Sequence, residues 1–506
     1  MQLGSRDSVV VALTCRVTTV CTLLAMLCLP AATGWSQTFP LRVVAETRAQ
    51  APGTDPGQQF NTFLTASINE VGDVVFLARL DGSGVDSVNF RGIWSEDQGS
   101  LRLRARGGDV IPGSGGVPLF TFDRPVLNKS GQLAFQAGLV NAVLDTSAVV
   151  ADRGSGLQVL VKPGDSLPGL DQPFVGSDQP VHLSNDGVVA FSGSYELPDE
   201  RFDARGLWVE DGSGLYTIGF RGKEIGGREV FSFERDLALD QAGRLYFEGS
   251  GGHYVTVPGS DVFEEIPYGP GNGTVYPDGD ALYGSPNVLN VRSGGQIVFQ
   301  IEAGVTQSNG LSYRFLRGNA LNDDGDFVFG ARTGQGVDNV QGAWLVRDGY
   351  FTELYREREA PPDAPSDIID FVAAEAFNGR AQVAFQFQLN QGGTVQRGIY
   401  ATDLDGTLHP IIRTGDLFDF DIPGIGSFPI PVTNIQLFGG PQSAGAPSSF
   451  NDRGELVFRV DFGHGVSQLM VATIPEPTTA LVLLPALATL RWRIADLKPR
   501  RQTWGY

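Results

Sequence analysis

Few residues in this chain could do acid–base, nucleophilic or metal chemistry, and their spacing suits none of these. The four histidines, His182, His253, His409 and His464, form no pair at a metal-ligand spacing, and no H-E-x-x-H is present. A serine nucleophile of the G-x-S-x-G kind is absent, as is a G-x-x-x-x-G-K-[ST] phosphate loop; "RGKE" around Lys223 has neither the spacing nor the hydroxyl. "NDDGD" at 322–326 and "TDLDGT" at 402–407 look like the start of calcium loops. Neither continues to a Glu at the required distance, so both read as turns, and no metal or cofactor is expected. Carboxylates are abundant, and two of them facing each other across a cavity could serve as acid and base. The spacing does not select such a pair.

Charge and cysteine usage narrow the classes further. The chain has 57 acidic and 37 basic residues and a net charge of -20. Both ends are net basic, so the middle is more acidic than the whole. Such a surface repels phosphate backbones, and no nucleic-acid partner is expected. Cys15, Cys21 and Cys28 are the three cysteines. They lie in a segment with Arg6 and Arg16, an apolar run and small residues before "WSQTFP", which is the pattern of a signal peptide over 1–37. A chain cut within 32–37 keeps no cysteine, hence no disulfide, and is held by packing alone.

The elements that must position any site are set by a repeat. Asn, two residues, Gly, three residues, Phe recurs in full as Asn69-Gly72-Phe76, Asn128-Gly131-Phe135, Asn322-Gly325-Phe329 and Asn451-Gly454-Phe458. Weaker copies start at Ser184, Asp240, Arg292 and Asn378; the last has Ala381 in place of Gly. Successive copies begin 52 to 59 residues apart, except for intervals of 30 and 73. Asn, Asp and Gly make turns, and the apolar residues after them make a buried strand, so each copy predicts a turn that launches a strand. A second element follows: "GIW" at 92–94, "GLW" at 206–208, "GAW" at 342–344 and "GIY" at 398–400, whose large ring is expected to pack between neighbouring sheets. A third strand exits through Gly-Asp-x-x-Pro-Gly at 108–113 and 164–169, and a fourth segment leads into the next Asn.

Four short strands per unit cannot cover both faces of their own sheet, and stacking copies around an axis does. The expected fold is an all-β propeller of seven or eight four-stranded blades over 38–474, with an open β-solenoid as the alternative. The interval of 30 residues after Arg292 leaves one blade degenerate. The N-terminal stretch "LRVVAETRAQAPGTDPGQQFNTFLTASIN" reads as a third and fourth strand, and the last copy supplies a first and second, so the two ends are expected to share a blade. Two Gly- and Pro-rich inserts, 268–287 and 418–447, read as long loops on which binding residues could sit.

The C-terminal segment 475–506 lies beyond the last expected strand. Pro475-Glu476-Pro477, the apolar run Thr478–Leu490, and Arg491 with Arg493 resemble the PEP-CTERM sorting signal of Gram-negative bacteria. The Asn-x-x-Gly-x-x-x-Phe copies resemble tandem repeats of exported proteins that carry such signals. The chain departs from that pattern by continuing past the basic pair to Tyr506. The resemblance implies export, transient anchoring in the inner membrane by a short span, and recognition by an exosortase-type membrane protease. It also implies a place at the cell surface, with extracellular polysaccharide or surface proteins as partners. The expected function is a non-enzymatic binding or structural propeller, and the alternative is an extracytoplasmic hydrolase or lyase using axial carboxylates.

Overall fold

The computed structural model describes residues 39–474, with breaks at 98, 141–146, 178, 197–203, 226–227, 230–232, 240–242, 250–251, 257–262, 267–272, 276–280, 286, 294–295, 323, 335–338, 423–425 and 440–445. The segments 1–38 and 475–506 fall outside these residues, and with them Pro475, Glu476, Pro477, Arg491 and Arg493.

Seven antiparallel sheets each take all their strands from one continuous stretch: 58–106, 119–161, 174–220, 233–266, 273–302, 313–356 and 368–413. We number these blades 1 to 7. An eighth sheet is composite: the strands Leu417–Ile422, Gly426–Leu437, Glu455–Phe462 and Val466–Thr473 are joined at the outer edge by the N-terminal strand Leu41–Glu46. Leu41 lies opposite Ala472 and Glu46 opposite Gln468. First strands of successive blades touch one another, as 58–68 does 119–127 and 233–239 does 273–275, so the first strands converge on a common axis. Blade 8 returns to blade 1 through contacts of Gln58–Ile68 with Glu455–Phe462. The fold is a closed β-propeller.

The shared closing blade is as expected, but the phase of the blades differs from the sequence reading. The segment leading into each Asn is the first strand of its sheet, and the Phe strand is the second. Consequently only Leu41–Glu46 closes the ring, while Gln58–Ile68 opens blade 1 by pairing with Val74–Gly82. The Arg292 copy is a coincidence of spacing. It falls at the turn between the third and fourth strands of blade 5, Val288–Ser293 and Gln296–Glu302. In sequence, "YPDGDALY" from Tyr276 occupies the place between that blade's first and second strands. The short interval after Arg292 therefore records this shift of phase, and no blade is missing.

The repeat has a clear packing logic. Phe76, Phe135, Phe329 and Phe458 are fully buried. Phe76 lies across from Trp94, Phe191 from Trp208 and Phe329 from Trp344 in the ladder. The rings stack at interplanar angles of 18°, 22° and 27°. Each Trp also packs against the preceding blade: Trp94 shares a core with Val457, Leu469 and Val471 of blade 8. The glycine two residues earlier makes room for the ring, because a Cβ on Gly92 would sit 2.7 Å from Trp94 Cη2, and one on Gly206 2.4 Å from Trp208 Cη2. Where the slot holds Val150, the residue two before it is Ala148, which has the Cβ that the aromatic slots exclude.

Candidate binding face of blades 7 and 8

The turns that carry the repeat face one end of the ring, and their asparagines do two things at once. The Asn69 Oδ1 accepts from the backbone N–H of Val71 and Asp73 at 3.1 and 2.8 Å, which builds the turn. Its Nδ2 donates to the carbonyl of Asn128 in the next blade at 2.9 Å. Asn128 in turn reaches Ser184 O at 2.9 Å, Asn378 reaches Asn451 O at 2.8 Å, and Asn451 reaches Asn69 O at 2.8 Å. The turn role was expected; the link to the next blade was not. Asn322 builds its turn in the same way, but its Nδ2 meets Asp326 at 3.3 Å. Arginines add a further layer at this end: Arg104 bridges to Asp152 of blade 2 at 3.0 Å, and Arg153 bonds Glu210 O of blade 3 at 2.9 Å. These residues hold the ring together and leave their polar atoms engaged.

The opposite end, where the chain crosses from one blade to the next, is where exposed apolar residues collect. The insert at 418–447 is a hairpin rather than a loop: Leu417–Ile422 pairs with Gly426–Pro431, and only Val432–Leu437 continues into blade 8. Its lower face is anchored, since Phe418 and Ile430 pack on the blade 8 core and Phe418 meets Phe462 edge-on, ring centroids 5.5 Å apart. Farther along the same face as Ile430, Phe428 is 45% exposed, and Leu417, on the opposite face, is 66% exposed. The strand Gly426–Leu437 touches the first strand of blade 7, Ile368–Phe377, where Ile368 and Phe371 are 49% and 43% exposed. The other insert, 268–287, also contains strands, Gly273–Val275 and Ala281–Ser285, and builds part of blade 5.

One buried guanidinium positions both halves of this surface. Arg413, the last residue of blade 7, donates to Asp367 Oδ2 at 2.9 Å and Asp363 Oδ1 at 3.0 Å, fixing the loop that enters Ile368. Tyr400 adds its hydroxyl to Asp363 Oδ1 at 3.0 Å, and the guanidinium lies 5.3 Å from the Tyr400 ring centroid. On the other side, Asp416 Oδ2 accepts the Arg413 backbone N–H at 2.7 Å, which sets the turn into Leu417. Burial pushes the carboxyls of Asp363 and Asp416 above the usual Asp range, and Arg413 pulls against that shift.

A polar network runs alongside. Arg397 bonds Asn434 Oδ1; Asn434 Nδ2 donates to Asp461 Oδ2 at 2.8 Å; Arg459 donates to both Asp461 oxygens at 2.9 Å. Burial raises the Asp461 carboxyl, but hydrogen bonds from Arg459, Asn434 and Ser467 outweigh it and hold the group below the usual range. Gln388 bonds Asp370 Oδ2 at 3.0 Å beside Phe371. The acidic turn at 402–407 is also spoken for: Asp403 Oδ1 accepts from Asp405 and Thr407, and Oδ2 lies 2.9 Å from His409 Nε2. Among the described residues no group of three His, Cys, Asp or Glu side chains is arranged to hold a metal ion. The arrangement suits recognition: exposed rings and aliphatic groups on a rigid base, with hydrogen-bonding groups at their margin.

Fold and site together describe a closed propeller with a candidate binding face at one end. The chain belongs to a family of unknown function (DUF7453), whose model matches residues 33–148, 140–262 and 287–481. No curated protein matches the chain. Among solved structures it is similar to the Dos1 propeller, at 10% identity and a TM-score of 0.39, over 82% of this chain and 94% of that one. It is also similar to a puromycin-hydrolyzing peptidase of Mycobacterium tuberculosis, at 12% identity and a TM-score of 0.36, over 77% of this chain and 60% of that one. The β-propeller domain of the Trilobed protease from Pyrococcus furiosus gives 10% identity and a TM-score of 0.34, over 70% and 98%.

Proposed function

We propose that this chain is an exported, non-enzymatic binding propeller of the cell surface or extracellular matrix. Its partner is extracellular polysaccharide, taken up on the blade 7 and 8 face. The observation that carries the reading is the exposure of Phe371, beside Asp370 and Gln388, and of Phe428 on a strand that touches the one holding Phe371. Exposed rings flanked by hydrogen-bonding side chains offer a sugar both a stacking surface and polar partners. The signal-like segment 1–37 and the tail 475–506 support export, with an exosortase-type membrane protease acting at the tail. The first strand of Leu41–Glu46 and the last of Val466–Thr473 are antiparallel neighbours, so both end segments join the ring at its Asn-turn end.

Glycan-array binding of the purified chain tests the ligand. Binding that falls at least tenfold in Phe371→Ala/Phe428→Ala, with no turnover of the bound glycan, is the expected result. Equal binding by the double variant removes this face from the proposal. Locating the chain in cells with and without 475–506 tests the sorting role, and surface retention in both would end that part. A hydrolase or lyase reading is favoured by one observation: Glu375, on the axis-facing first strand of blade 7, is raised above the usual Glu range by burial, with Arg317 at 3.5 Å pulling the other way. Release of shortened glycan by the purified chain would establish it.

A further inference from the structure

The crossover end of blade 6, next to blade 7, joins an exposed ring to exposed positive charge. We propose that Arg314, Phe315 and Arg332 form a subsite for a uronate sugar, so that the glycan taken up at this end of the ring is an acidic one. This rests on the polysaccharide reading above and adds to it the charge of the sugar.

Arg314 lies directly opposite Arg332 in the ladder between Tyr313–Leu321 and Phe327–Thr333. Like charges directly opposite one another destabilise a sheet. Both side chains are exposed, in a chain whose net charge is -20. The register shifts between Arg314 and Arg317, and Phe315 sits in that irregularity at a φ of 51°. A left-handed backbone is strained for a bulky residue. Here it accompanies a ring that is 61% exposed, with the Arg332 guanidinium carbon 5.6 Å from its centroid. Local strain, a like-charge pair and an exposed ring thus coincide at one place, as they do where a surface is shaped by its ligand. Arg317 is turned to Glu375 of blade 7 at 3.5 Å and belongs to the seam between the blades.

The place is matched in the next blade. The N–H of Gly304 donates to Tyr313 O as that of Arg358 does to Ile369 O, so Phe315 and Phe371 each lie two residues beyond an equivalent point. The same bond marks Phe60, Leu119, Phe174 and Val432 in blades 1, 2, 3 and 8, and the residues two beyond them are Thr62, Thr121, Gly176 and Asn434. Among these six blades the ring occurs only in 6 and 7, which are neighbours, as a polymer passing from one to the other requires. The occupant follows from the pairing of charge with ring. A uronate sugar carries a carboxylate and an apolar ring face on one residue; the arginine pair takes the first and Phe315 the second. A neutral glycan leaves the two like charges uncompensated, and an acidic peptide brings the carboxylate without the ring face.

Calorimetric titration of the full chain with polygalacturonate and with alginate, each beside its esterified form, tests the subsite. At least one acid polymer is expected to bind tenfold or more tightly than its ester. Arg314→Gln/Arg332→Gln should abolish that difference, with the affinity for the ester unchanged and a thermal melt no lower than wild type. Phe315→Asn, whose new side chain accepts the left-handed backbone more readily, should weaken the acid polymer at least fivefold without lowering the melt. Acid and ester bound equally, and both lost in Phe371→Ala/Phe428→Ala, would overturn the subsite and leave the polysaccharide reading standing. Binding of none of the four polymers would overturn it too, and the glycan array then decides the polysaccharide reading by itself. An acid preference that survives Arg314→Gln/Arg332→Gln, or polyglutamate bound as tightly as the acid glycan, would also overturn it.

Discussion

Asn451 donates a hydrogen bond to the carbonyl of Asn69, 382 residues earlier in the chain, at 2.8 Å. The same Asn451 accepts from Arg453 and Glu455 N–H at 3.1 and 2.9 Å. One side chain thus builds the last turn of the ring and ties it to the first. Asn451→Asp keeps the acceptor and loses the donor, placing a carboxylate against a buried carbonyl. It should cost about 1–3 kcal/mol, the usual penalty for a buried group left unsatisfied. Asn451→Ala loses both roles and should cost more. Urea unfolding of the two variants separates the contributions; equal stability of Asn451→Asp and wild type would show that the inter-blade bond contributes nothing.

Gly92 is pinned by the Trp94 ring and by Ala105 O, which a Cβ would meet at 2.7 and 2.9 Å. Gly92→Ala is expected to destabilise by about 1–3 kcal/mol, as overpacking of a dense core does. The blade 2 arrangement, Ala148 before Val150, suggests the remedy. Gly92→Ala should cost less in a Trp94→Val background than in wild type, and a double-mutant cycle measures the difference.

Arg358 holds a φ of 68°, as Arg48 does at 70°, at a place where four other crossovers use Gly108, Gly164, Gly304 and Gly415, all at positive φ. Its backbone N–H donates to Ile369 O, as that of Gly108 does to Leu119 O and Gly415 to Val432 O. A left-handed conformation costs a non-glycine residue about 1–2 kcal/mol. Arg358→Gly should therefore raise the melting temperature, offset in part by the greater freedom of glycine in the unfolded chain. A lower melting temperature would mean that the Arg358 side chain contributes more than its backbone strain.

Glu375 gives the pH prediction. Burial lifts its carboxyl above the usual range, while Arg317, itself mostly exposed, lowers it less. An acid whose folded-state value is raised adds stability below its unfolded value of about 4.3, and that contribution is lost as pH rises through the folded value. Glu375→Gln should therefore gain on wild type as pH rises from 4 to 8. Thermal melts across that range check the sign, and a gap that widens toward low pH would contradict it.

The repeat made the architecture legible because turn chemistry and strand patterning are local. Asn, Gly and Phe at fixed spacing name a turn, a positive φ and a buried ring without reference to anything distant. The second role of Asn128 was not legible, because its partner Ser184 is 56 residues away and any backbone carbonyl would serve. Blade 5 misled for a related reason. Its third-to-fourth turn carries Gly and Phe at the repeat spacing, while "YPDGDALY" has Gly279 and Tyr283 but no Asn. The hairpin at Leu417–Pro431 was hidden by Pro423, Pro429 and Pro431, which read as loop. An outlying two-stranded hairpin tolerates proline where a central strand does not. The role of Arg413 was beyond reach, because a lone arginine in "IIRTGD" does not announce the loop, 46 to 50 residues earlier, that it binds.

The closing blade also bears on what a tether does to the molecule. Val466–Thr473, the strand from which the C-terminal tail departs, lies between two neighbours, Glu455–Phe462 and the N-terminal Leu41–Glu46. A pull on the tail along that strand is shared by two ladders loaded lengthwise, so many hydrogen bonds must yield together rather than one at a time. The N-terminal strand is then a mechanical clamp as well as a ring closure.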